Sequence, residues 1–411
     1  MPETLTLDKL TPQQLKIFWN EVARKSTLHE FLYNFLGFKD LNSIHKDLCQ
    51  FLETKHLFKL ILMPRYTFKS SICTIGKTLH ELNKDSNQRI LIYSDASDKA
   101  TGFLTSIKGH IEGKAEGSKF YAIYNWGQKD PKQTWNLSEI VIADRKTAYP
   151  EASIETAGIE TSKVGKHYDG IIFDDIVSDK NVTTKDQMDK VENCFRTALS
   201  LLKPDGWVII TGTIWHFGDL YRRIIADNEL SGLFQIFIVD GEDDPKYGKY
   251  CFSDIGLTKE FLEQKKKQQG TYLYSCLYRN NPVSPESAIF KESNFSFYGA
   301  IKPDDLYITG TLDPAGEGKD KSGLTAVGTD YEMNMNILEA LEGHWKPSEL
   351  IDLIINLHYK LKFKIFGLET IFFRRMLKLE LMRRIGEEHK DNPTKFPLFG
   401  IYEFDSASRQ G

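Results

Sequence analysis

The chain has 411 residues, a length that predicts about two to three domains. Hydrophobic residues make up 41% and charged residues 27% of the sequence, the composition of a globular protein able to bury substantial cores. The formal net charge of −4 excludes a chain that binds nucleic acid through an overall basic surface, so any such surface has to be local.

Cysteine spacing and apolar runs exclude further classes of protein. The five cysteines are scattered, with no CxxC pair and no histidines at zinc spacing, which argues against a zinc module and favours a reducing compartment. The first residues, MPETLTLDKLTPQQ, are polar and acidic rather than basic and apolar, so no signal peptide is predicted. No apolar run approaches about 18 residues, so no membrane partner is expected.

The first part of the chain alternates between helical stretches and short β-rich runs. Residues 8–37 are typical of amphipathic helices whose aromatic side chains pack into a core. Between residues 57 and 240, these runs have the composition of strands: LFKLILM, RILIYS, EIVIAD, GIIFDD, GWVIITGT and FQIFIVD. Fully apolar strands that alternate with helices predict a parallel sheet covered on both faces.

The pattern changes after a predicted helix over residues 257–280. The stretch NNPVSPESAIFKES has the composition of a linker. Three strand signals follow without helices between them (DLYITGTLDP, LTAVGTDYE, NMNILEALEG), which predicts an antiparallel meander, and a helix, a strand, a helix and a strand complete the chain. The expected α/β organisation is a helical segment over 1–44, a parallel-sheet domain over 45–284, a linker over 285–303 and a mixed-sheet domain over 304–411.

A candidate phosphate-binding loop lies in LILMPRYTFKSSI, residues 60–72. The pattern GxxxxGK[ST] would put glycines where the chain has Met63 and Phe68, but the lysine and the hydroxyl that follow are present as Lys69 and Ser70. An apolar run precedes the loop and an apolar-periodic segment follows it, the context in which phosphates meet a helix N-terminus. The alternative interpretation is an ordinary strand-to-helix turn.

Paired acids, Asp174 and Asp175, end another predicted strand in GIIFDDI. Ligands bind at that edge of open α/β sheets, so one carboxylate would hold magnesium and the next would polarise an attacking water. The alternative is a strand that ends in a charged turn. A third strand, WVIITGTIWH, ends in Thr211, Gly212 and Thr213, whose hydroxyls would sense a γ-phosphate, although threonine also simply suits strands. Together with the loop, these residues predict nucleotide hydrolysis.

The order of these motifs resembles that of the large terminase subunits of tailed bacteriophages. The segments that carry the resemblance are PRYTFKSS, SIETAGIETSKVGKHYDGIIFDDI, ITGTIWHFGDL and LYRNNPVSPESAIF. The resemblance runs from about residue 40 to the end of the chain and implies two enzymatic domains. The first is a P-loop ATPase motor that pumps double-stranded DNA into a procapsid, and the second is an RNase H-like nuclease that cuts concatemeric DNA.

The resemblance also implies roles for individual residues of the ATP site. Asp175 stands where relatives have the catalytic glutamate, and its shorter side chain would still hold the attacking water. An arginine from a neighbouring subunit completes such sites, and Arg145 is the candidate, with a surface salt bridge as its alternative role. Ser70 and Asp174 would hold Mg²⁺. The implied nucleotide-binding residues are Arg65, Lys69, Ser70, Ser71, Asp174, Thr211 and Thr213, and Arg65 also counts among the catalytic residues.

The second predicted domain carries two acids at the ends of strands that an RNase H-like sheet makes neighbours. Asp313 ends the first strand of the meander, and Glu369 ends KIFGLE. Two-metal cleavage of a phosphodiester needs converging carboxylates that hold ions about 4 Å apart, and the terminase resemblance marks the same two residues as metal ligands. Asp320 is a weaker candidate, more typical of a turn. The basic residues expected to meet the DNA backbone are Lys319, Lys321, Arg374 and Arg375.

A nuclease of the terminase type uses a third carboxylate, on a helix after the final core strand. Here the strand FGIYEF is followed by Asp405 and SASRQG. Asp405 follows the strand too closely to belong to such a helix, so we expect the acidic helix to lie beyond the 411 residues. Two carboxylates compensate less of the charge of two dications, which predicts weak metal binding and weak cleavage by this form.

The resemblance implies cofactors and partners as well. ATP and Mg²⁺ belong to the motor, with Mn²⁺ as an alternative at the nuclease site. The expected partners are double-stranded DNA, a portal protein, a small terminase subunit and further copies in a ring, in the host cytoplasm at the portal vertex of the procapsid and not in the mature virion. Two other interpretations stay open: a DNA translocase whose second domain is a non-catalytic DNA-binding clamp, and a non-enzymatic scaffold with a P-loop fold, which the missing glycines favour.

Overall fold

The computed structural model describes residues 10–124, 126–161, 163, 165–226, 232–283, 296, 299, 303–314, 321–369 and 374–404. The chain divides into two compact units, Met1–Lys291 and Glu292–Gly411. Each unit has a hydrophobic core of its own. The finer boundaries predicted at residue 44 and over 285–303 remain predictions.

Helices open the first unit, and local sequence signals start two of them. Thr11 and Thr27 each accept a hydrogen bond from the backbone of the third helical residue, whose side chain bonds back to the threonine. The elements are α1 (Pro12–Lys25), α2 (Leu28–Phe31), a π-helical continuation of α2 (Leu32–Leu36) and α3 (Ser43–Leu52). The helices predicted over 8–37 are confirmed in their described part, and Phe31 and Phe35 are buried in the core of the unit. The expectation that all the aromatic side chains pack into the core is wrong for Phe18, Trp19 and Tyr33, which are exposed.

A parallel sheet forms the centre of the first unit. Its strands are β1 (Phe58–Leu62), β2 (Ile90–Ser94), β3 (Glu139–Ile140), β4 (Ile154–Gly158), β5 (Tyr168–Asp174), β6 (Leu202–Gly212) and β7 (Gln235–Ile238). Their order in the described residues is β3–β4–β2–β5–β6–β1–β7, and each neighbouring pair is parallel except β3 with β4. The predicted parallel sheet is therefore confirmed.

Two strands differ from the sequence prediction. The run EIVIAD predicts a longer strand than β3, but the chain leaves the sheet after Ile140, where the Val141 N–H donates to the Thr134 carbonyl at 2.9 Å. Strand β4 was not predicted, because SIETAG has a glutamate near its centre. Glu155 is nevertheless fully buried there, and Lys166 lies 2.7 Å from its carboxylate. An ion pair thus lets a charged residue occupy an interior strand.

The remaining elements of the first unit surround the sheet. They are a π-helical turn (Ser71–Gly76), α4 (Lys77–Lys84), α5 (Ser97–Ile111), α6 (Phe120–Ile123), α7 (Lys185–Leu199), α8 (Leu220–Ala226), the short strands β8 (Asp243–Asp244) and β9 (Gly248–Lys249), a 3-10 turn (Ser253–Ile255) and α9 (Lys259–Arg279). Helix α9 is interrupted at Gly270, whose φ of 77° and ψ of 165° are not helical. Glycine suits this break because it has no Cβ to oppose a positive φ.

A mixed sheet forms the second unit. After a 3-10 turn (Pro303–Asp305), its elements are β10 (Tyr307–Asp313), β11 (Ser322–Thr329), β12 (Met335–Gly343), α10 (Pro347–Leu361), β13 (Ile365–Glu369), α11 (Arg374–Asp391) and β14 (Gly400–Phe404). The described strands have the order β12–β11–β10–β13–β14, with antiparallel pairs up to β10 and parallel pairs after it. The predicted meander and mixed sheet are confirmed, as is the adjacency of β10 and β13 expected for an RNase H-like sheet.

Two whole-chain expectations concern membranes and thiols. None of the helices in the described ranges is long and apolar enough to cross a bilayer. All five cysteines are free thiols. Burial raises the pKa of the Cys49 thiol to about 12, so the thiol stays protonated and packs in the core as a small apolar side chain.

Candidate nucleotide site and acidic pair

Three neighbouring strands bring the predicted nucleotide-site residues to one edge of the parallel sheet. Asp174 ends β5 beside Thr211 of β6, and Leu62 of β1 pairs with Gly212. Because the three strands are parallel, their carboxyl ends lie at the same edge. The loop that follows β1 carries Lys69 to this edge, so the two motifs about a hundred residues apart meet in one place.

The loop from Met63 to Ser70 has a glycine-like backbone at one of its two predicted glycine positions. Phe68 has a φ of 54°, and Tyr66 nearby has a φ of 64°. Such left-handed conformations cost a bulky residue about 1–2 kcal/mol. Met63, at the other position, is fully buried and has no positive φ. Phe68 therefore adopts the backbone conformation of the missing glycine, whereas Met63 packs into the core instead.

Hydrogen bonds from separate parts of the unit hold this strained loop. The backbone N–H of Arg65 donates to the Leu277 carbonyl of α9 at 2.9 Å. The Thr67 hydroxyl donates to the Pro64 carbonyl at 2.6 Å, which closes the turn before Phe68. These anchors lie on both sides of Tyr66 and before Phe68, and they offset part of the conformational cost of the loop.

A third anchor comes from a histidine that sequence reasoning missed. His45 of α3 is fully buried, and its Nδ1 accepts from the backbone N–H of Asn42 at 3.0 Å. Nδ1 therefore carries no proton, and Nε2 donates to the Thr67 carbonyl at 3.1 Å. Burial lowers the pKa of His45, which keeps the ring neutral. The detectable signal is Asn42 as a helix N-cap three residues before the histidine.

Asp174 is the most enclosed acid of the site. It is fully buried at the end of β5, where the Ser70 hydroxyl donates to its Oδ1 at 2.9 Å and the Thr74 hydroxyl donates to its Oδ2. Thr74 lies one helical turn after Ser70, so both hydroxyls face the same carboxylate. Sequence reasoning identified Ser70 but missed Thr74, because the usual loop pattern ends at the first hydroxyl.

Lys69 lies between the loop and the second acid. Its Nζ is 3.4 Å from the Met63 carbonyl and 3.5 Å from Oδ1 of Asp175, an ion pair whose lysine is buried and whose aspartate is partly exposed. Asp175 has a φ of 47°, and its N–H donates to the Thr211 carbonyl at 2.8 Å. This turn directs the Asp175 carboxylate towards the loop, whereas Asp174 faces the hydroxyls.

The electrostatics of the pair suit a divalent cation. Burial, and then the charge of Asp175, raises the pKa of Asp174 to about 7, so a cation at this carboxylate would relieve a large desolvation penalty. Within the described residues, no cluster of three or more His, Cys, Asp or Glu side chains could hold a metal ion. Carboxylate and hydroxyl oxygens fit Mg²⁺, which commonly takes one or two carboxylates and completes its shell with phosphate oxygens and water.

The tip of β6 connects the site to α8. Thr211 and Thr213 are buried, and a Cβ built on Gly212 would lie 2.5 Å from the hydroxyl of Tyr221, so only glycine fits there. The Tyr221 hydroxyl accepts from the Val177 N–H at 3.3 Å. One tyrosine thus contacts both the β6 tip and the segment that follows Asp175, which sequence reasoning did not detect.

Of two further predicted residues, Arg65 belongs to the loop and Ser71 directly follows it. Arg65 is exposed, and its guanidinium carbon lies 5.9 Å from the centre of the Trp215 ring. Ser71 is the half-buried first residue of the π-helical turn that follows the loop. Arg65 lies four residues before Lys69 in the loop, and Ser71 directly follows Ser70.

Arg145 lies at the opposite edge of the sheet. Its Nη1 donates to the Glu151 carbonyl at 2.7 Å, and its electrostatic neighbour is Arg89, which directly precedes β2. Arg89 in turn pairs with Asp169 near the start of β5 at 2.9 Å. These are the amino ends of strands whose carboxyl ends carry Asp174, so Arg145 is not brought to the nucleotide site of its own chain.

The acidic pair of the second unit lies at the carboxyl ends of adjacent strands. Leu312 of β10 and Leu368 of β13 pair in register, and both are buried in the core. Asp313 and Glu369 are the next residues, so they lie side by side on the opposite face of the sheet. Asp313 is exposed, whereas Glu369 is 8% exposed.

The structure describes only some of the other residues predicted for a nuclease site in this unit. The amine of Lys321 is 2.7 Å from Glu342 of β12. Arg374 and Arg375 begin α11, and their side chains are not among those described. The remaining candidates lie outside the described residues: Lys319, Asp320 and Asp405.

Comparisons with known proteins give structural matches only. No family model and no curated protein matches the chain at the sequence level. The large terminase of a thermophilic bacteriophage matches over 93% of this chain and 82% of its own, with 9% identity and a TM-score of 0.37. The same terminase has been solved with ADP and with ATP-γ-S.

Two further solved structures match. The ATPase domain of the large terminase of Thermus phage P74-26 covers 62% of this chain and 98% of its own, with 13% identity and a TM-score of 0.39. The Phi-28 gp11 DNA packaging motor covers 86% of this chain and 92% of its own, with 11% identity and a TM-score of 0.37. The matching structures thus include members of the family that the motifs resemble.

Proposed function

We propose that this chain is an ATP-hydrolysing subunit of a phage DNA-packaging motor of the large terminase type, with a metal-dependent DNA endonuclease in its second unit. The observation that carries the motor part is the cluster of Lys69, Ser70, Asp174 and Asp175 at the carboxyl edge of a parallel sheet. The order of the motifs along the chain supports the packaging role, because large terminases have the same order.

In this proposal the loop binds the triphosphate and the two acids divide the work of hydrolysis. Lys69 exchanges its ion pair with Asp175 for contacts to the β- and γ-phosphate oxygens. Ser70 and Asp174 hold Mg²⁺, which supplies positive charge against the phosphates. Asp175 is then released to orient a water that attacks the γ-phosphorus and to accept its proton, while the oxygen between the β- and γ-phosphorus atoms leaves with ADP.

The neighbouring residues would transmit the change in charge. Arg65 and Ser71 add donors at the edge of the loop. Thr211 and Thr213 would respond to the γ-phosphate at the tip of β6. Because Tyr221 contacts both this tip and the segment after the acids, a shift of either would reach α8.

The nuclease part rests on the neighbouring strand ends of the second unit. Asp313 and Glu369 would each contribute a carboxylate to a two-metal site with Mg²⁺ or Mn²⁺, which would supply positive charge for cleavage of a phosphodiester. The second candidate function keeps the motor and makes this unit a non-catalytic DNA-binding clamp. The exposure of Asp313 is compatible with either function.

The proposed assembly is a ring of this chain on the portal of a procapsid in the host cytoplasm. Its partners would be double-stranded DNA, the portal protein and a small terminase subunit. Arg145 would act on the nucleotide of a neighbouring copy, since it lies at the sheet edge away from its own site.

ATP turnover tests the motor part. The full chain should hydrolyse ATP, faster with duplex DNA, and Lys69→Ala should lower turnover at least about 100-fold because the charge on the phosphates is lost. Lys84→Ala is the matched control: this lysine of α4 is partly exposed and lies 3.6 Å from Glu53. Turnover in Lys69→Ala equal to that in Lys84→Ala would contradict the proposed role of the loop.

A further inference from the structure

A cavity of about 390 Å³ beside Arg145 has three cationic side chains in its lining. Arg145, Lys129 and Lys146 border it, and none of the described residues that line it is acidic. A cavity beside α7 differs, because Asp95 and Glu160 line it together with lysines. We call the cavity bordered by Arg145, Lys129 and Lys146 the Arg145 pocket. A concentration of three positive charges on a chain of net charge −4 indicates an anionic occupant.

The guanidinium of Arg145 is only partly satisfied by the protein. Nη1 donates to the Glu151 carbonyl, but Nε and Nη2 are buried and have no hydrogen-bond acceptor among the described residues. Leaving a buried charged donor without an acceptor costs about 1–3 kcal/mol or more. Such groups in folded proteins are usually paired, so two unpaired donors on one side of a guanidinium indicate that an acceptor from outside binds there.

The nearby carboxylates are already held by other groups. Glu151 pairs with Arg89 at 3.2 Å and accepts from the His167 N–H at 2.9 Å. Asp169 pairs with Arg89 at 2.9 Å and with Lys203 at 2.5 Å. Burial, and then the charge of Arg89, lowers the pKa of Arg145.

An aromatic ring fixes the orientation of the free side of the guanidinium. The guanidinium carbons of Arg145 and Arg89 lie 5.0 and 4.4 Å from the centre of the Tyr149 ring, which also lines the pocket. Contact with the ring restrains the fork formed by Nε and Nη2. Such a fork matches two oxygens of one tetrahedral anion.

We propose that the Arg145 pocket binds a phosphate group, which accepts from Nε and Nη2 of Arg145 while Lys129 and Lys146 add charge. Two sources share this chemistry: a phosphodiester of duplex DNA, and the phosphate tail of a nucleotide bound to a second copy of the chain. The choice of source rests on the proposed function, whereas the affinity of the pocket for phosphate does not.

Thermal unfolding of the full chain with Lys69→Ala tests the pocket itself, because this background removes the phosphate contact of the nucleotide site. Inorganic phosphate, compared with chloride at equal ionic strength, should raise the unfolding midpoint by about 2–4 °C. Adding Arg145→Gln should abolish this rise. Adding Lys132→Gln, an exposed lysine outside the lining, should preserve it. A rise that survives Arg145→Gln overturns the proposal.

A second variant guards against a folding defect, since Arg145→Gln also removes the bond to Glu151. Lys129 and Lys146 are both exposed, so replacing them together with glutamine should leave the fold intact. The phosphate-dependent rise in the midpoint should fall by at least about half, because two of the three charges are lost. An undiminished rise in this double variant also overturns the proposal.

Binding of a labelled duplex at several salt concentrations then separates the sources, in protein that keeps Lys69. A phosphodiester in the pocket predicts that Arg145→Gln reduces the salt slope of log K by about one, while Lys132→Gln leaves it unchanged. If the pocket instead binds the nucleotide of a second copy, Arg145→Gln should leave the salt slope of log K unchanged. This variant should then lower ATP turnover only at protein concentrations where wild-type turnover per subunit rises with concentration. If the wild type does not hydrolyse ATP, the proposed function fails while the phosphate-dependent midpoint shift still tests the pocket.

Discussion

In both units, parallel strands end in acidic residues, but the two units differ in how far these carboxylates are buried. In the first unit, Asp174 is fully buried and already accepts from the hydroxyls of Ser70 and Thr74. In the second unit, Asp313 is exposed and Glu369 is buried, and strand pairing places the two residues side by side. The first site is held by contacts among three strands and a helix, whereas the second is defined by strand pairing.

The difference in burial predicts which properties change when the carboxylates of each site are replaced. A buried carboxylate in a network is oriented before any ligand arrives, so substitutions there should alter chemistry, pH dependence and stability together. Removing the charge of an exposed carboxylate changes the free energy of unfolding little, even beside a buried carboxylate. Its substitution should therefore alter metal-dependent chemistry with little effect on folding. The expectations below test this contrast from the largest effect to the smallest.

Replacing Asp175 with asparagine should separate nucleotide binding from turnover. The amide cannot accept the proton of the attacking water, so ATP turnover should fall about 100- to 10,000-fold. Nucleotide affinity should be retained or tighter, because Lys69 loses its competing ion pair. Turnover and the dissociation constant of a fluorescent ATP analogue measure the two effects. Asp179→Asn, an exposed acid of the same segment, is the control; wild-type turnover in Asp175→Asn would remove the water-activating role.

Replacing Asp313 with asparagine should abolish DNA cleavage while ATP turnover persists. The substitution takes a negative ligand from the proposed metal pair, and a loss of about 100-fold or more is expected in manganese-dependent plasmid cleavage. Asp304→Asn, an exposed acid of the same unit, should cleave normally. Cleavage by Asp313→Asn at the rate of Asp304→Asn would transfer the activity to other residues, and no cleavage by the wild type would favour the clamp.

Asp174 should make stability depend on pH in the absence of metal. Its native pKa of about 7 lies above its unfolded value of about 4, so the native state binds the extra proton and stability falls as pH rises from about 4 to 7. In Asp174→Asn, the decrease in the free energy of unfolding over this pH range should be smaller by a few kcal/mol. Urea unfolding with EDTA at pH 5 and pH 8 measures it as a difference between wild type and variant. An identical pH dependence in both proteins would show that the carboxylate is not desolvated.

Substitutions at Phe68 should show that the loop needs a conformation rather than a ring. Phe68→Gly relieves the left-handed strain of about 1–2 kcal/mol, and the KM for ATP should change less than about threefold. Phe68→Val should raise the KM about tenfold or more, because a β-branched residue opposes a positive φ. Equal KM values for the two variants would mean that the backbone at position 68 does not control phosphate binding.

The sequence predicted the central features of both sheets because their strands have strong local signals. Apolar runs identified β1, β2, β5 and β6, and the absence of intervening helices identified the meander of the second unit. Strand β4 was not predicted because Glu155 breaks the apolar pattern, and its burial is explained only by partners that the fold supplies: Lys163, Lys166, the Tyr168 hydroxyl and the Ala152 N–H. The acids and Lys69 were found because their residue types are unusual at strand ends, whereas His45 and Thr74 resemble ordinary helix residues until the fold brings them to the loop and to Asp174.

The amino-acid sequence by itself determined most of the strands and helices and the identity of the chemical groups, because these depend on periodicity and side-chain type within short stretches. Only the tertiary structure decided which groups face one another. It joined Lys69 to Asp175 across about a hundred residues and assigned Phe68 the conformation of a glycine. It also left Arg145 at the far edge of the sheet with two donors that have no acceptor within the described ranges. The physical reason is that strand order and burial are properties of the whole core, and they fix distances and desolvation that no local pattern contains.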